Sequence, residues 1–270
     1  RQWHGMRAWL GEPVQFADPR FDTIAARVQA FGELGSLIAT LFADQTMEEL
    51  VDAGQAHGVP IAAVLTPSDA LESEHLDAVG ALTETELAPG ATVRVPSGYW
   101  VIDGHRAGFV TPAPAPGSSE PRWLQPRYDP DATGPADGRP LDGIRVLDLG
   151  IIVAGGELSR LFGDLGAQIV KVESTAYPDG LRQKREGQAI SESFARAHRN
   201  NLGLGLELRT PDGAALFTRL VSASDAVFAN FKPGTLRALG FSHQRLSEIN
   251  PQLVLAESSA FGDTGPWSGE

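Results

Sequence analysis

The sequence predicts an α/β fold whose C-terminal half is a parallel sheet covered by helices, preceded by an α+β portion. Three observations predict it. The stretch VLDLGIIVAGGELSRLFGDLGAQIVKVE, residues 146–173, reads as strand, glycine-bearing turn, helix and second strand. From Leu141 onward, short apolar runs keep alternating with helical patterns, and parallel neighbours need such crossover helices. Between residues 111 and 140, eight of the 19 prolines gather with Gly, Ser and Asp, a composition that favours an extended, semi-rigid joiner. The expected division is therefore residues 1–110, a linker at 111–139, and residues 140–270.

Within the first part, Asp22 or Thr23 caps a helix whose Ile24, Val28, Phe31, Leu34, Leu37 and Ile38 recur at helical spacing. Thr46 and Glu49 form a T-x-x-E capping box that opens a second helix, and Gly58 ends it. Val59 to Leu65 reads as a short buried strand, and Thr66-Pro67 opens another short helix. Strand signals fill residues 82–102 around the turn at Ala88-Pro89-Gly90. In the linker, Trp123, Leu124 and Tyr128 point to local packing on a surface. In the last part, strands are expected at 144–149, 168–173, 203–208, 226–229 and 253–258. Helices are expected at 156–165, 211–223, 235–239 and 242–249, the second opened by the cap and first-turn proline Thr210-Pro211.

Composition narrows the chemistry. With no cysteine, disulfides, thiolate zinc sites and a cysteine nucleophile are excluded. A net charge of −12 argues against nucleic acid as the main partner. No apolar run reaches the ~20 residues of a membrane helix, and no N-terminal signal is visible, so a cytoplasmic location and no membrane partner are expected. The six histidines are scattered without metal-ligand spacing, so no metal site is expected. Asp263 sits in a G-D-T-G-P turn, where Asp is a routine turn residue.

The opening βαβ stretch is not a dinucleotide fingerprint. Glu173 stands where a ribose-binding acid belongs, but the turn Gly150-Ile-Ile-Val-Ala-Gly155-Gly156 lacks G-x-G-x-x-G spacing. Bulky Ile151, Ile152 and Val153 occupy the place where a pyrophosphate needs close backbone approach.

Four ordered stretches carry a more specific signal: RPLDGIRVLDLG with VAGG and LFGDLGAQIVKVE; HRNNLGLGLELRTPDG; ANFKPGTLRALGF; and INPQLVLAESSAFGDTGPW. Over residues 139–270 they resemble the N-terminal half of the class III coenzyme A (CoA) transferases, a family that includes formyl-CoA and carnitine CoA-transferases and α-methylacyl-CoA racemases. Residues 1–110, through MRAWLGEP and LFADQTMEELVDAGQAHGVPIAAVLTPSDAL, resemble the family's C-terminal portion. The order implies a window across two tandem units, with a circular permutation as the alternative.

The resemblance implies a Rossmann-like CoA-binding domain, and an interlocked homodimer or an intramolecular pseudo-dimer. It implies no tightly bound cofactor, with CoA and acyl-CoA as substrates. It places Val153, Ala154 and Gly155 beside CoA, with Leu206, Arg209, Asn230, Phe231 and Lys232. Arg209 and Lys232 are the foremost phosphate cations, and Arg199 and Arg237 are weaker candidates. The chain departs from the family pattern at Val153 (often Gln), Ser174 and Ala238 (often basic), and Asn201-Leu202 (often Lys-Arg). The family's nucleophilic Asp, which attacks an acyl-CoA thioester to form a mixed anhydride, is expected beyond Glu270. No catalytic residue is therefore expected within these 270 residues, and the chain alone is expected to be inactive. A non-catalytic CoA-binding or dimerisation unit, or a racemase-like epimerase, is the alternative to a transferase.

Overall fold

The computed structural model describes residues 2–88, 90–108, 113–123, 138–184 and 187–269. They fall into two compact units, one of residues up to 84 with 94–98, the other of 85–93 with 99–269.

The first unit contains α1 (Gln2–Trp9), α2 (Ile24–Gln29), α3 (Phe31–Phe42), α4 (Met47–Ala56), α5 (Pro67–Leu71) and α6 (Glu74–Ala78). Its core is Phe16, Phe21 and Leu34, with Trp3, Leu10 and Leu37 packed around them. The Phe16 ring meets Trp3 and Phe21 edge to face, with centroids 5.7 and 5.6 Å apart. The expected single apolar face from Ile24 to Ile38 is broken at Ala30, whose φ −92° and ψ 17° leave the helical region. A helical stripe stays in phase only while the helix is continuous. Beyond the break Leu34 turns into the core, while Ile24, Val28 and Phe31 are exposed.

All three predicted helix starts are realised, the first at Thr23, whose side chain accepts from Ala26 N–H. Thr46 and Glu49 form the reciprocal capping box, and Thr66 forms a second one with Asp69. Residues 59–65 are not a strand, in contrast to the sequence expectation. Val59 is buried and Ile61 lies against Gly54, but no described strand runs alongside to give a ladder. An apolar run announces burial, and pairing depends on a neighbour that the run does not specify.

β1 (Leu82–Ala88) and β2 (Ala91–Pro96) form a two-stranded sheet around the predicted turn. β3 (Trp100–Ile102) and β4 (His105–Ala107) form a hairpin closed by Asp103-Gly104, both left-handed at φ 49° and 80°. Such two-residue turns match the twist of the strands they join. Residues 113–123 of the proline-rich stretch form no helix or strand, and Trp123 is fully exposed rather than packed. Leu124 and Tyr128 lie outside the described residues.

The second unit holds a five-stranded parallel sheet in the order β7-β6-β5-β8-β9. The strands are β5 (Arg145–Asp148), β6 (Gln168–Glu173), β7 (Asn201–Gly205), β8 (Ala226–Ala229) and β9 (Val254–Glu257). Between them run α7 (Ile152–Asp164), α8 (Glu192–Ala197), α9 (Pro211–Val221), α10 (Thr235–Ala238) and α11 (His243–Ile249). Period-two alternation sends Leu147 and Val227 to one face with Phe217, Val221, Leu236 and Leu246 of the helices α9 to α11. Val146, Ile169 and Phe228 go to the other face, against Leu158 and Phe162 of α7. Thr210 caps α9 through Gly213 N–H, with Pro211 at its start, as predicted.

Strand ends agree with the sequence expectation to within a residue or two, except for the third strand. It ends at Gly205 rather than residue 208, because Leu206 N–H makes a last bond to Glu173 O before the chain turns into the α9 cap.

Candidate functional site

The sheet order reverses between β5 and β8, and the crevice beyond the carboxyl ends of two such strands is where open α/β sheets bind ligands. In this unit the crevice is closed at its base by one side chain. Asn230, the residue after β8, accepts from Ile151 N–H at 2.7 Å and donates to Ile151 O at 2.9 Å. It thereby ties the loop after β5 to the end of β8.

The glycines here play a different part from the one expected. The sequence pattern starts the helix at 156 and leaves Gly150 to Gly156 as the turn. α7 begins instead at Ile152, so Val153, Ala154 and Gly155 form its first turn. Gly150, Gly155 and Gly156 are not left-handed; Ile152 is, at φ 56°. The glycines serve close approach. A Cβ on Gly155 would lie 2.4 Å from Gly150 C and 3.2 Å from Asn230 Oδ1, and one on Gly156 would lie 2.9 Å from Ala197 Cβ. A β-branched residue in the left-handed region is strained, so its surroundings must hold it there.

They do so through a buried ion network. The side chain of Asp179 is fully buried, and those of Lys171 and His198 are only 3% exposed. Ile152 N–H lies 3.2 Å from each Asp179 oxygen. Leu181 N–H reaches Oδ1 at 2.8 Å, Lys171 Nζ reaches Oδ2 at 3.1 Å, and His198 Nε2 reaches Oδ2 at 3.2 Å. Lys171 also donates to Gly150 O. Burial alone would raise the Asp179 pKa, but Leu181 N–H, the Lys171 ammonium and Ile152 N–H outweigh it and hold the carboxyl below its usual range. Burial and the Lys171 ammonium lower His198, so its ring favours the neutral form.

Asp148 completes the cluster. Its Oδ1 accepts from Gly150 N–H at 2.8 Å, while Oδ2 has no hydrogen-bond partner among the described residues. Burial pushes it up to about 6, against the pull of Lys171 and Gly150 N–H.

A family model described as CoA-transferase family III matches residues 1–120 and 141–270. The chain belongs to CoA-transferase family III. It is 63% identical over 99% of its length to a probable CoA-transferase of Mycobacterium tuberculosis, covering 34% of that protein. It is 39% identical over 48% of its length to the succinyl-CoA–D-citramalate CoA-transferase of Chloroflexus aurantiacus, covering 33% of it. A CaiB/BaiF family protein from Brucella suis aligns in structure with TM-score 0.46 and 35% identity, over 49% of this chain and 36% of that one. The chain thus spans about a third of the length of these relatives.

In this family III chain, the positions singled out by resemblance are only partly brought together. Val153 and Ala154 are exposed at the start of α7, and Gly155 beneath them lies against Asn230. Phe231 is half-buried against the core, and Lys232 is exposed with Nζ 2.8 Å from Gly269 O. Leu206 and Arg209 follow β7, two strands from β5. The Arg209 guanidinium lies 3.8 Å from the centre of the Tyr177 ring, and its Nη1 donates to Tyr177 Oη at 2.6 Å. Arg237 is exposed on α10.

Arg199 is not near this corner. It pairs with Asp164 at the far end of α7, at 3.1 and 2.5 Å. His198 is buried, its ring and its neighbour Ala197 packing on Gly156 of α7. Glu173 cannot act as a free ribose acceptor: it takes Asp179 N–H at 3.0 Å and Arg182 Nε at 2.7 Å. No metal-holding group of His, Cys, Asp or Glu exists among the described residues, and none of their helices is long and apolar enough to cross a membrane.

Sequence reading missed Asp148, Lys171 and Asp179. The first two had a signal, since each is an ionisable residue inside an apolar strand run, a placement that requires a partner. Asp179 had none, because Pro178-Asp179-Gly180 reads as an ordinary turn.

Asp148 gives a testable sign. A carboxyl with a raised folded pKa contributes most to stability below its unfolded value near 3.8, and that contribution is lost as pH rises through about 6. Asp148→Asn removes the buried charge and is expected to raise stability at pH 7.5 by about 1–2 kcal/mol, with the gain vanishing near pH 4. Urea unfolding of both proteins at the two pH values checks it; a variant less stable at pH 7.5 contradicts it.

Proposed function

We propose that the second unit is the CoA-binding half of an acyl-CoA:carboxylate CoA-transferase, which moves CoA between carboxylic acids through a mixed anhydride on an aspartate. The observation that carries this reading is the Asn230–Ile151 tie at the switch point, which joins the start of α7 to the end of β8. Ile152 N–H is taken by Asp179, and the N–H groups that follow it in the first turn of a helix have no intrahelical partners and favour anions. Lys232, two residues past Asn230, and Arg209 supply cations for the phosphates of CoA. The names of relatives support the class: one is a succinyl-CoA–D-citramalate CoA-transferase, another an acetyl-CoA:oxalate CoA-transferase.

The same reading makes residues 1–110 the end of a first transferase unit and residues 140–270 the start of a second. The match of one family model to two separate stretches, residues 1–120 and 141–270, supports it. Two such units would pair within one polypeptide or between copies of it.

A second reading, a CoA-binding unit without transferase chemistry, is favoured by apolar Val153 at the position where transferases often carry Gln. Both readings require CoA binding. Calorimetry is expected to show CoA bound by the chain, and Lys232→Ala is expected to weaken it about five- to tenfold, the worth of one charge-assisted phosphate contact. Equal affinity of the two proteins removes Lys232 from the site.

A further inference from the structure

We infer that Asp179 is a positioning residue for the CoA-binding turn: its buried carboxylate holds Ile152 in the left-handed conformation from which Val153 and Ala154 are presented. The inference rests on the reading above, that this turn lies beside CoA. It adds a residue from a segment that shares no sequence pattern with the turn.

The geometry is specific. Ile151 is fixed on one side, both its N–H and its carbonyl being engaged by Asn230. Ile152 is fixed on the other side by the two oxygens of Asp179. The left-handed residue therefore sits between two clamps, one from the end of β8 and one from the loop after β6. Asp179 is in turn fully determined. Lys171, His198 and Leu181 N–H bind its carboxylate, and Glu173 accepts its own N–H. Glu173 is anchored by Arg182. Ile152 also reaches back to the same loop, since a Cβ on Gly180 would meet its side chain at 3.3 Å.

A β-branched residue does not choose this backbone by itself, because its Cβ crowds the following carbonyl. Without the carboxylate, Ile152 is free to relax toward the right-handed region, and the N–H groups after it re-aim. Glycine at this position carries no such preference. The clamp should therefore be needed with isoleucine and dispensable with glycine, which a purely structural role for Asp179 does not predict.

The test is CoA affinity by calorimetry for four proteins: the unaltered chain, Asp179→Asn, Ile152→Gly, and the double variant. Asp179→Asn is expected to weaken binding about tenfold, the order of the left-handed preference. The double variant is expected to return to within about threefold of Ile152→Gly alone. Should Asp179→Asn fail to fold with Lys171 stranded, Asp179→Asn with Lys171→Met removes both charges and carries the same comparison with and without Ile152→Gly. Undiminished binding by Asp179→Asn overturns the inference. So does a loss that glycine at 152 does not restore, since Asp179 then acts by another route. No CoA binding by the unaltered chain instead overturns the reading of the site itself.

Discussion

Gly155→Ala is expected to destabilise the second unit by about 3 kcal/mol and to abolish CoA binding, because the added methyl has no room to move into. Its Cβ would lie 2.4 and 2.5 Å from the backbone C and Cα of Gly150 and 3.2 Å from Asn230 Oδ1. Backbone atoms at the end of a buried strand cannot swing aside as a flexible side chain does. Relief requires α7 to lift from β5, which pulls Ile151 from Asn230 and Ile152 from Asp179 together. A fair control is Gly203→Ala on β7, where an added Cβ meets nothing within 4 Å and no change beyond about 0.5 kcal/mol is expected. Hydrogen exchange of the β5 and β8 amides, with calorimetry for CoA, reads both effects. A Gly155→Ala protein as stable as Gly203→Ala would show that the close approach carries no weight.

Lys171→Met is the second large effect, expected at about 3–5 kcal/mol at pH 7, since it leaves buried Asp179 without its cation. Lys171 lowers the pKa of both Asp179 and Asp148, so its loss raises both. Carboxyls whose pKa the cation had depressed give up that stability as pH falls and they protonate. The gap between Lys171→Met and the unaltered chain is therefore widest at neutral pH and narrows toward pH 4. Urea unfolding of the second unit at the two pH values checks both size and slope. A gap that widens on acidification would assign Lys171 a role other than charge balance. Asp148→Asn runs with the opposite sign because Asp148 is the surplus carboxyl, with one oxygen left without a partner among the described residues.

Much of the sheet was legible because its signals are local. β6 and β8 occupy the very residues read from the sequence, 168–173 and 226–229: β8 is a continuous apolar run, and β6 carries Ile169, Val170 and Val172 around Lys171. The caps at Thr46 and Thr210 were legible for the same reason: a cap and its target lie three residues apart. The stripe from Ile24 to Ile38 misled because nothing in its spacing records the break at Ala30.

Of the candidate site, the sequence by itself determined the family resemblance, the strand–turn–helix frame and the Asn230 position. Only the tertiary structure decided what the glycines at 150, 155 and 156 do, which residue bends, and what holds it. Asn230 lies 79 residues from Ile151, and Asp179 lies 27 from Ile152. Glycine in a sequence looks the same whether it frees a turn or admits a neighbouring backbone, and an Asp in a Pro-Asp-Gly turn looks the same whether it faces water or a buried lysine. The physical difference lies in which atoms stand close by, and that is fixed by the packing of α7 and residues 174–184 on the sheet rather than by any local pattern.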